Sequence, residues 1–173
     1  MPSFMETEIK EAVHFSAALD EQINGLFGHY PPAQRKSALL PALHFAQAEY
    51  GWLSSQVMDQ VALRLNLKPI EVYEVASFYT MFHLKPVGKH VLEVCRTGPC
   101  CLGGAEELIA YIESKLGIGV GETSADGLFT LKTVECLASC GSAPVLQIGP
   151  DYTYHEHLDK EKIDELIEKL AKK

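Results

Sequence analysis

The chain has 173 residues, of which 47% are hydrophobic and 22% charged, with a formal net charge of −8. This is a globular composition, able to bury a core in one large or two small domains. The acidic balance argues against nucleic acid or an anionic membrane surface as partner, because counterion release needs a Lys/Arg footprint. No run of about 18 apolar residues is present to enter a bilayer. The start, Met1-Pro2-Ser3-Phe4-Met5-Glu6, lacks the basic and apolar regions of a signal peptide, so a reducing cytoplasm is expected.

Residues 1–84 read as a helical bundle. Ser16 is placed to cap a helix carrying Leu19, Ile23, Leu26 and Phe27 at helical spacing, and Tyr30-Pro31-Pro32 ends it. A second helix is expected from Ala33 to Tyr50, with Leu39, Leu43, Ala46 and Tyr50 on one face. Pro41 predicts either a kink or a helix that starts properly only there. Gly51 stops this helix, and Ser54 caps the next, with Val57, Met58, Val61, Ala62 and Leu65 inward. Pro69 opens a fourth, with Val72, Val75, Ala76 and Tyr79. The aromatic string Phe78, Tyr79 and Phe82 is expected in the core, with partner contact as the alternative. Trp52 is read as an anchor of the helix junction.

Lys85-Pro86-Val87-Gly88-Lys89 breaks the composition, so a second domain is expected over 85–173. There the period changes. His90 to Val94 is a strand ending at Cys95, and Leu102 to Leu116 a helix striped by Leu108, Ile109, Ile112 and Leu116. A loop with four glycines spans Gly117 to Gly127; it lacks the spacing of a dinucleotide fingerprint. Strands follow at Phe129 to Val134 and Val145 to Ile148, and Asp151 to Tyr154 can form part of a third. A helix from about Asp159 closes the chain, with Ile163, Leu166, Ile167 and Leu170 inward. The fold class is α+β: a helical bundle followed by an α/β domain with helices packed on a mixed sheet.

Four of the five cysteines form two short clusters, Cys95-x4-Cys100 and Cys136-x3-Cys140, with 35 residues between them. In a reducing compartment such clusters are metal or redox sites before they are structural disulfides. Cys101 is left over, so an all-disulfide framework does not close. Neither pair has the Cys-x-x-Cys spacing of disulfide exchange. Both clusters sit where strands give way to loops, and two loops at one end of a sheet can gather four thiolates. Tetrahedral zinc and an iron–sulfur cluster both use four such ligands, and spacing alone leaves both standing.

A cluster carries negative charge and needs N–H donors and cations nearby. Gly98, Gly103, Gly104 and Gly141 would let amides approach the sulfurs, and the helix start near Leu102 and Arg96 would add positive charge. That pattern suits a redox cluster better than a zinc staple.

Cys95-Arg-Thr-Gly-Pro-Cys100 and Glu135-Cys136-Leu-Ala-Ser-Cys140-Gly-Ser-Ala-Pro144 resemble the thioredoxin-like [2Fe–2S] ferredoxins. More closely, they resemble the small iron–sulfur subunits of the NADH-dehydrogenase module of respiratory complex I. The resemblance extends to Tyr30-Pro31, Ala48-Glu49-Tyr50-Gly51-Trp52-Leu53 and Val75-Ala76-Ser77-Phe78-Tyr79-Thr80-Met81-Phe82 in the helical half. It also includes Phe129 to Val134 and Tyr154-His155-Glu156-His157-Leu158. It implies a thioredoxin-like second domain and one [2Fe–2S] cluster on Cys95, Cys100, Cys136 and Cys140, with Cys101 outside the ligand set. It further implies an electron-transfer subunit of an NADH:quinone oxidoreductase, docked on a partner that holds FMN and binds NADH. Such a subunit lies at the cytoplasmic side of the inner membrane without entering it. The equivalent subunit of a soluble NAD-linked hydrogenase or formate dehydrogenase is the alternative within the class. A zinc-stabilised interaction module is the alternative outside it.

The seven histidines do not group as ligands, and His155 and His157 read as surface or strand-end residues. No constellation for hydrolysis stands out, so no catalytic residue is assigned. Pro144 precedes a strand, where its missing N–H costs little.

Overall fold

In the computed structural model, which describes residues 13–172, the chain is organised as two units, Met1–Lys85 and Pro86–Lys173. The start of the chain, read above for targeting signals, lies outside the described residues.

Among the described residues the first unit holds four α-helices: α1 (Ala17–Leu26), α2 (Leu39–Tyr50), α3 (Ser55–Leu65) and α4 (Pro69–Phe78). Ser16 caps α1, its hydroxyl oxygen accepting the Leu19 N–H at 3.1 Å while the same hydroxyl donates to Glu49 on α2 at 2.6 Å. Ser54 caps α3 in the same way, through the Val57 N–H. Each such cap is worth about 1 kcal/mol. Gly51 ends α2 in the left-handed region at φ +76°, the conformation that glycine reaches without strain.

Three expectations for this half are corrected. The stretch Pro32–Ala38 is a 3-10 turn, and the α-helix begins at Leu39 rather than Ala33. Pro41 therefore falls in the first turn, where a missing N–H leaves no helical bond unmade, and it causes no kink. Second, α4 stops at Phe78, and Tyr79 has extended backbone at its end. The aromatic string is thereby divided: Phe82 is buried, whereas Phe78 is 76% and Tyr79 37% exposed. Third, Leu53, fully buried, is the anchor of the helix junction, and its neighbour Trp52 is only half-buried. Gln47 explains why the chain turns inward after α4. Its amide donates to the Met81 carbonyl at 2.9 Å and accepts the His83 N–H at 2.6 Å, so a buried polar group is satisfied at both ends.

The second unit runs β1 (His90–Cys95), α5 (Gly98–Leu102), α6 (Ala105–Leu116), β2 (Phe129–Val134), β3 (Leu146–Gly149), β4 (Thr153–His155) and α7 (Lys160–Ala171). The sheet order is β2-β1-β3-β4, with β1 parallel to β2 and antiparallel to β3. It is thus the mixed sheet expected. Alternation puts Leu92 and Val94 on one face of β1. They share a buried cluster with Leu108 and Ile112 of α6 and Ile163, Leu166 and Ile167 of α7. The helix expected over Leu102–Leu116 is two helices. The chain breaks at Gly103-Gly104, with Gly104 at φ +93°, and Leu102 is 92% exposed.

Candidate metal centre

Parallel pairing of β1 with β2 sets the site. Cys95, the last residue of β1, lies opposite Val134, the last residue of β2. Both cysteine-bearing loops therefore leave the sheet at the same end. A bond from the Cys95 N–H to the Val145 carbonyl, 3.0 Å, ties the end of β1 to the return of the second loop. Cys95, Cys100, Ala105 and Val145 form a small buried cluster, with Leu137 and Ala143 packed against it.

All five cysteines are free thiols; Cys95 and Cys100 are buried, and Cys136 and Cys140 exposed. The sulfurs of Cys136 and Cys140 stand 4.0 Å apart. That is far beyond a disulfide bond of about 2.05 Å. It is near the separation of two thiolates on one tetrahedral metal with bonds of about 2.3 Å. Cys95 and Cys100 lie together in the buried cluster. Among the described residues no group of three or more His, Cys, Asp or Glu is placed to hold a single metal ion. Four cysteines are the ligand number of a [2Fe–2S] cluster and of a tetrahedral zinc alike.

Three of the thiols are perturbed by burial and by one another. Burial pushes the Cys95 thiol up. Hydrogen bonds from the Thr97 side chain and backbone, the Leu137 backbone and Cys100 outweigh burial and hold it below the ordinary thiol value. Cys100 is pushed up to about 11, by burial first and then by its bond to Cys95 and the charges of Cys95 and Cys140. Cys140 is also raised, chiefly by its hydrogen bond with Cys136 and by that residue's charge.

The donors to sulfur differ from those expected. The Ala138 N–H donates to Cys136 Sγ at 3.3 Å. The Thr97 hydroxyl lies 3.3 Å from Cys95 Sγ. A Cβ at Gly98 or Gly141 would meet no protein atom within 4 Å. Gly103 is needed for packing. A Cβ there would stand 3.3 Å from the Pro99 carbonyl oxygen and 3.4 Å from both Ala143 C and Pro144 Cδ, so its absence lets the two loops pack together. The peptide bond between Ala143 and Pro144 is cis.

Arg96 does not stand free beside the sulfurs. It pairs with Glu135 at 3.3 Å, both side chains more than half exposed. Cys100 lies inside the five-residue helix α5 rather than ahead of a helix start. Cys101 turns away, its thiol donating to the Arg96 carbonyl at 3.0 Å. His155 sits half-buried at the end of β4, its pKa lowered by burial and then by Lys169. Ala138 was beyond motif reading, because it acts through a backbone N–H group that every residue has.

Comparison with known proteins gives a consistent result. The family model for the thioredoxin-like [2Fe-2S] ferredoxins matches residues 23–171. The chain is 46% identical over 148 residues to a subunit of the NADH-quinone oxidoreductase of Rhizobium meliloti (strain 1021), covering 86% of each chain. It is also 46% identical, over 142 residues, to the corresponding NADH-quinone oxidoreductase subunit of Rickettsia conorii (strain ATCC VR-613 / Malish 7), covering 82% of this chain and 84% of that one. Among solved structures, an NAD+-reducing [NiFe]-hydrogenase in the air-oxidized state matches with a TM-score of 0.68 and 26% identity. The match covers 77% of this chain and 22% of that one.

Proposed function

The chain belongs to the thioredoxin-like [2Fe–2S] ferredoxins, and from that premise we propose that it is the small electron-carrier subunit of an NADH:quinone oxidoreductase. Its relatives at 46% identity are subunits of that oxidoreductase, matched over most of their own length. The family holds one [2Fe–2S] cluster, and Cys95, Cys100, Cys136 and Cys140 are the residues that would hold it here. When bound, the cluster supplies a site that takes up and releases one electron. The observation that carries the reading is the β1–β2 register, which brings both cysteine loops to one end of the sheet.

The chain's own part is to hold and tune that site. Cys95 and Cys100 come from buried positions, which keeps water from half of the ligand set. The Ala138 N–H donates to Cys136 Sγ and the Thr97 hydroxyl lies beside Cys95 Sγ, where each can direct the positive end of a dipole at a sulfur. Such donors offset thiolate charge and raise the reduction potential. Cys136 and Cys140, both exposed, give a partner its approach to the site.

The partner in this reading is a flavin-containing subunit that oxidises NADH, because the chain has no dinucleotide fingerprint of its own. No helix among the described residues is long and apolar enough to cross a membrane. Attachment at the cytoplasmic side of the inner membrane would then come through other subunits. A soluble NAD-linked hydrogenase is the second reading, favoured by the similarity to the NAD+-reducing [NiFe]-hydrogenase. Purification of the tagged chain under mild conditions separates the two. Co-purification of a flavoprotein with NADH:quinone reductase activity is expected. Recovery of hydrogenase subunits instead would favour the second reading, and recovery of the chain without flavin would count against both.

A further inference from the structure

The loop that carries Cys136 and Cys140 has little regular structure of its own. It holds one 3-10 turn, Cys140–Ser142, and Ala138 stands in the left-handed region at φ +61°, an unfavourable conformation for a residue with a Cβ. What restrains it comes largely from the segment of β4. Tyr154 and Glu156 are two residues apart, the spacing that puts side chains on one side of an extended chain. The Tyr154 hydroxyl donates to the Leu137 carbonyl at 3.0 Å. The Glu156 carboxylate accepts from the Ser142 hydroxyl at 2.6 Å and also from the Ser139 hydroxyl, and the two hydroxyls lie 2.8 Å apart. The His157 N–H adds a bond to the Ser142 carbonyl at 2.7 Å.

These contacts fall beside the two exposed cysteines. Leu137 follows Cys136, and Ser139 and Ser142 bracket Cys140. We propose that Tyr154 and Glu156 are positioning residues that hold the Cys136–Cys140 loop in its ligating arrangement before and after the cluster binds. The proposal rests on Cys136 and Cys140 being ligands. Neither side chain reaches a sulfur; each acts through the loop it restrains. Groups that orient ligands in this way typically matter by 10- to 100-fold in metal affinity.

The test uses the whole chain purified from cells that assemble iron–sulfur clusters. Wild type is compared with Tyr154→Phe, Glu156→Ala, Glu156→Gln and, as a control on α7, Glu161→Gln. Cluster loss in excess iron chelator is followed by bleaching of the visible absorption. The EPR spectrum of the reduced protein and far-UV circular dichroism are recorded beside it. Tyr154→Phe and Glu156→Ala are expected to bleach on the order of tenfold faster, with altered EPR line shape and unchanged circular dichroism. Glu156→Gln, which keeps one acceptor oxygen, should recover part of the loss, and the control should match wild type. Wild-type bleaching rates and EPR spectra in both Tyr154→Phe and Glu156→Ala would overturn the proposal. Should Glu156→Ala fail to fold, Tyr154→Phe removes a single hydroxyl and decides the matter alone. Failure of the ligand reading looks different: Cys136→Ala, which supplies no ligand atom, would then keep a full complement of iron and sulfide.

Discussion

Cys100 and Cys101 are neighbours in sequence with opposite surroundings. Cys100 is buried among Cys95, Ala105 and Val145; Cys101 bonds back to the Arg96 carbonyl. Replacing Cys100 with Ala should abolish the iron and labile sulfide of the purified chain, since alanine supplies no ligand atom. Replacing Cys101 with Ser should leave both at wild-type levels, because the serine hydroxyl can donate to the same carbonyl. Loss of the cluster in Cys101→Ser would show that the ligand set is wrong. The two cysteine clusters are visible in the sequence because thiols at loop spacing are rare and chemically specific. The groups around them are not. Ala138 acts through a backbone N–H group, whose direction depends on tertiary structure rather than on residue type. Arg96 shows the opposite error: its charge is visible in the sequence, but its pairing with Glu135, 39 positions away, is not.

Among the elements, local signals located most helix ends. Ser16, Ser54 and Asp159 each cap the helix that follows, through the N–H three residues on. The misreadings occurred where a local signal was ambiguous. Hydrophobic periodicity runs through Gly103-Gly104, where the chain breaks with Gly104 at φ +93°, and Gly103 packs closely against Ala143 and Pro144. Gly103→Ala should therefore do more than affect a helix end. It should cost about 1–3 kcal/mol by overpacking and shift the visible and EPR spectra of the cluster, measured on the purified chain. An unchanged spectrum would mean that the two loops tolerate separation. At the α6–α7 contact, Asp164 accepts from the Tyr111 hydroxyl at 2.7 Å and pairs with Lys115 at 3.0 Å. The Tyr111 hydrogen bond, then Lys115, holds its carboxyl below the ordinary value of 3.8. A depressed folded pKa gives stability that is present above the unfolded value and lost as pH falls through the folded one. Asp164→Asn should thus lower Tm at pH 7, by an amount that added salt reduces. The gap from wild type should narrow as pH falls below 3.8. A gap that widened on acidification would contradict this.

At the scale of the whole molecule, the change of hydrophobic period at Lys85–Lys89 was readable, as was the mixed sheet. Strand order was not, since parallel pairing of β1 with β2 joins segments more than 30 residues apart. That pairing makes one site from two motifs, and the rest of the second unit supports it from behind. Leu92, Val94, Leu131 and Leu146 anchor the strands in a buried cluster shared with α6 and α7. The helical half is covered by the same family match, which begins at residue 23; its role is the least legible part of the chain, because Phe78, Leu63 and Ile70 are exposed without a motif to name what meets them. The central claim concerns the four sulfurs, and it is tested most directly by iron and labile-sulfide analysis with EPR of the reduced protein. The chain purified from cells that assemble clusters should be coloured, contain about two iron and about two sulfide per chain, and give an EPR signal on one-electron reduction. A colourless protein with one zinc and no sulfide would contradict it.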